Sequence, residues 1–138
     1  MERGTCRARL RRERGESLIE FAFASVIFLT MILGALEFGI AVWNYNLVSN
    51  LAQEGARYAA VHGQNSGSPV DTAAVSAFVQ ARAVGLSVTT TTPSGAPNSL
   101  LPGSTVAVSV SHTLSIGGGL IPYWNFPIAS TAQMTVAR

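Results

Sequence analysis

The residues able to do chemistry are few and scattered. The histidines are His62 and His112, the single cysteine is Cys6, and the acids beyond residue 15 are Glu16, Glu20, Glu37, Glu54 and Asp71. Zinc-dependent hydrolysis needs two His one helical turn apart with a Glu beside the first, and acyl transfer on an elbow needs Gly-x-Ser-x-Gly; neither pattern occurs. Gly117-Gly118-Gly119 has no Lys after it, so it lacks the charge of a nucleotide-binding loop. One cysteine excludes an internal disulfide and a thiolate metal site. Cys6 also precedes the apolar run of the chain, unlike a lipoprotein acylation site. The chain is read as a non-enzyme with no metal and no cofactor.

What remains is carboxylates in apolar surroundings. Glu20 immediately precedes, and Glu37 immediately follows, the uncharged run FAFASVIFLTMILGAL at 21–36. That run spans roughly 24 Å as a helix, short of a hydrocarbon core of about 30 Å. Continuing to Trp43 makes it long enough and sets Trp43 and Tyr45 where an aromatic belt lies at the outer interface. Glu37 then falls inside the membrane, where an acid marks a functional site by default, and it can accept a hydrogen bond from another subunit's helix. Protonation or a locally thin membrane would also accommodate it. Glu20 and Glu37 point about 100° apart around an ideal helix, so they do not address one neighbour groove.

The elements that carry these residues follow from charge and periodicity. Only 12% of the 138 residues are charged, about half the usual share. Six of the nine Arg (Arg3, Arg7, Arg9, Arg11, Arg12 and Arg14) precede the apolar run, and beyond residue 15 the chain is slightly acidic. A basic face of nucleic-acid size is therefore excluded. The Arg cluster keeps the N-terminus cytoplasmic and exports the C-terminus. No apolar period marks an element in the leader, and no clean cleavage site follows the apolar run as a secretory signal would require.

Residues 16–62 contain no Pro and read as one long helix, spanning the membrane over about 21–43 and amphipathic over 44–62. Leu47, Leu51, Ala52, Tyr58 and Val61 form its apolar stripe. Small residues recur at four-residue steps, Ala52-Ala56-Ala60 and Gly55-Ala59-Gly63, which lets another backbone approach. That backbone is either the chain's own sheet or another subunit's helix. Glu54 and Arg57, three apart, can pair across the helix surface, and Arg57 can otherwise clamp a loop carbonyl or remain solvated.

Residues 63–138 form a small α+β domain. Gly63 to Pro69 break the helix; Ser68 is the expected cap of a second helix ending near Val84, with Pro69 at its first position and Asp71 near the amide dipole. Strands are expected at 86–92, 105–114 and 128–136, as an antiparallel three-stranded meander laid on the long helix. In 105–114, Val106, Val108, Val110, His112 and Leu114 share a face. Between the last two strands, 115–127 (SIGGGLIPYWNFP) reads as a Gly-rich loop loaded with Leu120, Ile121, Tyr123, Trp124 and Phe126. It is either a partner-binding surface or a flap whose aromatics close the core.

Gly15-Glu16-Ser17-Leu18-Ile19-Glu20-Phe21 resembles the processing site of type IV pilin-like precursors. Glu20-Phe21-Ala22, Leu36-Glu37-Phe38-Gly39 and Glu54-Gly55-Ala56-Arg57-Tyr58-Ala59-Ala60 together resemble the TadE-like pseudopilins of tight-adherence (Flp, Tad) pili. Val26 departs from that pattern, which often has Pro there, so a kink in the membrane helix is not implied. The resemblance implies that residues 1–15 are a leader removed by a prepilin peptidase between Gly15 and Glu16. It implies that Glu20 meets the new α-amine of Glu16 on a neighbouring subunit, with Phe21 and Glu37 in the membrane assembly surface and Glu54, Gly55, Arg57 and Tyr58 in a docking face. The expected partners are the peptidase, other Tad pilins or pseudopilins and the inner-membrane assembly platform, with roles in pilus assembly and adhesion. The contrasting expectation is an unprocessed single-pass module that presents a ligand-binding sheet, for which Gly15 and Glu20 have no use.

Overall fold

The computed structural model describes residues 3–118 and 121–137, and side chains over 15–117 and 123–137. The side chains of the Arg-rich N-terminal segment, that of Cys6 included, Gly119, Leu120 and the side chain of Ile121 lie outside those described. The chain divides into two compact units, Met1–Gly39 and Ile40–Arg138.

Helix α1 is Arg3–Val61. It begins inside the leader, where the sequence marked no element, because Arg and Glu are good helix formers and no Pro interrupts them. In the second unit its inward face is Val48, Leu51, Ala52, Ala56, Ala59 and Ala60, all buried at helical spacing. Leu47 and Tyr58 flank that stripe, half-buried, whereas Val61 is exposed. Fully buried Val48 belongs to the stripe in place of Val61.

Helix α2, Thr72–Arg82, is capped by Asp71 and not by Ser68. The Asp71 Oδ1 accepts from the Ala74 N–H at 2.7 Å, satisfying one of the free amides of the first turn. Val75 and Val79 turn into the core. Beyond the Ala83 C-cap the chain reverses at Gly85, whose φ of +77° suits a residue without a Cβ.

The sheet has the order β1-β2-β3, all antiparallel, with β1 Thr89–Thr91, β2 Thr105–Gly118 and β3 Ile121–Thr135. Val106, Val108 and Val110 of the central strand are fully buried, as their alternation requires. The first strand is shorter than its β-branched sequence suggests. The other two are longer, and the stretch read as a Gly-rich loop is the outer half of a hairpin paired from Thr113↔Pro127 to Gly118↔Ile121. Pro122 and Pro127 are tolerated because β3 is an edge strand. Gly117, with φ +118°, takes up the register shift between Ile116 and Gly118.

Two contacts tie the rest of the second unit to α1. Gly55 lies so close to it that a Cβ there would stand 2.9 Å from Val79 Cγ2 and 3.2 Å from Val108 Cγ1. The Ala137 N–H donates to the Ala60 carbonyl at 3.0 Å. The small-residue rows of α1 therefore serve the chain's own sheet and second helix.

Candidate processing and assembly surfaces

Gly15 and Glu16 lie within α1, both exposed. A Cβ at Gly15 would meet nothing within 4 Å, so no packing demands glycine there. Its effect is on the helix itself, which it weakens by about 0.5–1 kcal/mol relative to Ala. The bond on its carboxyl side is thus at a locally soft, accessible point of a helix that otherwise runs through unbroken.

Glu20 and Phe21 are exposed one turn further on. From there the large side chains Phe23, Ile27, Phe28, Leu29 and Met31 are all more than half exposed. A helix that served as the core of a water-soluble domain would cover them; here the most apolar stretch is covered by none of the described residues. Its two hydroxyls are already satisfied: Ser25 Oγ donates to the Ala22 carbonyl and Thr30 Oγ1 to the Val26 carbonyl, each at 2.8 Å. That removes the main polar cost of placing them in lipid. Glu37 is half-buried, and neither it nor Glu20 has an ion-pair partner among the described residues.

The expected docking face is divided by the structure. Gly55 faces inward, whereas Glu54 and Arg57 are exposed and Tyr58 is half-buried. Glu54 pairs with Arg82 of α2, Oε2 to Nε 3.1 Å, and not with Arg57. The Arg82 guanidinium lies 3.8 Å over the Phe78 ring. Phe78 stacks on Tyr58 with centroids 4.0 Å apart, and Tyr58 meets His62 at 4.4 Å. The His62 ring is held by its Nδ1, 2.8 Å from the Tyr58 carbonyl oxygen. This ladder fastens α2 to α1. Phe78 and Arg82 share a face four residues apart in sequence, but only the packing of the two helices reveals Tyr58 and Glu54 as their partners. Arg57 is left lining an open groove of about 540 Å³ with Leu47, Asn50, Gln53 and Arg82.

Tyr123, Trp124 and Phe126 are on strand β3, with 75%, 61% and 45% of their surfaces exposed. They do not close the core, which overturns the flap reading. Trp124 and Phe126 share one face, their ring centroids 6.1 Å apart, and pair across the hairpin with Ile116 and Leu114. This is the face that, further along β2, carries the buried valines.

A bare apolar helical stretch, long enough to cross a membrane, thus precedes a small α+β domain among the described residues. Residues 15–57, just under a third of the chain, match the family model described as TadE-like protein. No curated protein and no solved structure matches the chain. The matched stretch runs from the glycine of the expected cleavage site, through the apolar run, to Arg57.

Proposed function

We propose that the protein is a minor pilin or pseudopilin of a tight-adherence pilus, made as a precursor, cut between Gly15 and Glu16, and acting in pilus assembly and surface adhesion. The observation that carries this reading is the TadE-like match over a helix whose apolar first part is left bare by the described residues. Residues 21–43 hold the protein in the cytoplasmic membrane with its N-terminus inside, as the Arg cluster dictates. The amphipathic end of the helix, 44–62, and the domain at 63–138 lie outside. Cleavage creates an α-amine at Glu16 with a reference pKa near 8, a cation for the exposed carboxylate of Glu20 on an adjacent subunit. Pairing at the membrane edge, where water is scarce, fixes the axial register of neighbouring helices. Glu37, half-buried and without an ion-pair partner among the described residues, is the second contact point within the membrane. The peptidase, other pilins and the inner-membrane assembly platform are the partners this scheme requires.

The test is N-terminal sequencing of the protein from membranes of its own host, with Gly15→Ala beside it. The expected mature chain starts at Glu16, and the variant remains uncut. Because a Cβ at Gly15 meets no atom within 4 Å, loss of cutting in the variant cannot be ascribed to misfolding. An uncut wild-type chain in cells with active prepilin peptidase would overturn the proposal and leave an anchored binding module in its place.

A further inference from the structure

We infer that the outer half of the β2–β3 hairpin is a second membrane contact, its aromatic side chains seated in the headgroup layer into which α1 emerges. The inference rests on reading residues 21–43 as a membrane span.

The direction of the hairpin comes from two fixed points inside the second unit. The start of β2 lies beside the end of α1, because Ala137 bonds to Ala60 and Thr105 pairs with Thr135. Further along, Val108 reaches Gly55. Strand β2 therefore runs back along α1 toward the helix residues nearest the membrane. From Val108 to Ile116 the strand covers about 26 Å, and from Gly55 back to Trp43 the helix covers about 18 Å. The strand thus reaches the level of Trp43 even when inclined to the helix by about 45°. Ile116 pairs with Trp124, so Trp124 and Phe126 come to the height of Trp43 and Tyr45. All four rings are exposed.

The composition of the hairpin suits that layer. Between Arg82 and Arg138 there is no Asp, Glu, Lys or Arg, so no charge has to be desolvated. Trp and Tyr combine an apolar ring with a polar edge and favour the interface. The free backbone edge of β3 could not enter hydrocarbon, but the headgroup layer holds water to satisfy it. Pro122 and Pro127 remove two N–H groups from that strand. A lipid surface is therefore a better occupant than a polar ligand. It fits better than a second copy because it accounts for the shared height of two otherwise unrelated aromatic pairs.

The chain has two tryptophans, Trp43 and Trp124, so W124F and W43F each leave one reporter. The full chain would be placed in phosphatidylcholine vesicles whose acyl chains are brominated near the glycerol, and its emission compared with unbrominated vesicles. The expected result is a similar loss of emission from each tryptophan. Quenching of Trp43 without quenching of Trp124 would overturn the inference and leave the anchor standing. Quenching of neither would overturn the anchor, and the inference with it. Emission from Trp124 that shifts to the blue with protein concentration but ignores bromine would assign the face to a second copy and also overturn the inference.

Discussion

Phe23, Phe28, Leu29 and Met31 stand out bare from the first part of α1, whereas Val48, Ala52, Ala56 and Ala59 are sealed in its later part. Both stretches are apolar and both are helical, but the side chains differ in size. The sealed part uses Ala, Gly and Val because a sheet and a second helix come close to its backbone, and every methylene must fit. The bare part carries Phe, Leu, Ile and Met, which in the proposed membrane span would meet fluid acyl chains that adapt to any outline and reward area. Side-chain size therefore separates the two stretches: small where the sheet and second helix pack on α1, large where none of the described residues does.

The strongest way to break this contrast is a charge placed in each part. Val48→Asp puts an unpaired carboxylate at a site with no solvent exposure, costing on the order of 4 kcal/mol. That is a large fraction of the 5–15 kcal/mol, roughly, that holds a domain together. The domain is expected to lose its urea transition, measured on the full chain in micelles, while membrane insertion persists. Leu29→Arg should do the reverse: about 2.5–3.5 kcal/mol against insertion, with the urea midpoint of the domain unchanged. A common loss of both properties in either variant would show that the two parts are not independent.

Glycine gives a subtler contrast. At Gly34 a Cβ would meet nothing within 4 Å, but at Gly55 it would meet valine methyls at 2.9 and 3.2 Å. Gly55→Val is expected to destabilise the domain by about 1–3 kcal/mol through overpacking. Gly55→Ala should cost less, because the helix gains about 0.5–1 kcal/mol from losing its glycine. Gly34→Ala has that gain with no clash. Equal urea midpoints for Gly55→Val and the wild type would mean that Val79 and Val108 yield without cost, and the close approach would lose its meaning.

The fold class, the three strands and the valine face of β2 were legible because alternation over many residues has one reading. The family match that begins at residue 15 was legible for a different reason: a glycine and an acid stand at a fixed step between an Arg cluster and an apolar run. Other features depend on tertiary structure. Leu47 and Val48 are both apolar neighbours, and only the position of the sheet decides that Val48 is the one sealed in. Ser68 and Asp71 both carry cap chemistry, and the last turn of chain before α2 chooses Asp71. The glycines and prolines of 115–127 signal a loop locally, yet an edge strand tolerates them, and topology alone makes β3 an edge. That misreading hid a paired hairpin on which three aromatics are exposed.

The smallest expected effect concerns the one ion pair seen among the described residues. Glu54 and Arg82 meet at 3.1 Å, with their side chains 54% and 50% exposed. An exposed pair of this kind contributes about 0.2–1 kcal/mol at most. The Arg82 guanidinium also keeps its place over Phe78 without the carboxylate. Glu54→Gln preserves shape and a hydrogen-bonding oxygen, so the urea midpoint should move by less than about 0.5 kcal/mol in equivalent stability. Added salt should shrink the difference further, because screening acts on exposed charges. Phe78→Ala, by contrast, removes the ring between Tyr58 and Arg82 and should cost several times more. If Glu54→Gln proved as damaging as Phe78→Ala, α2 would be held to α1 by charge. Close packing would then no longer distinguish the sealed part of the helix from the bare one.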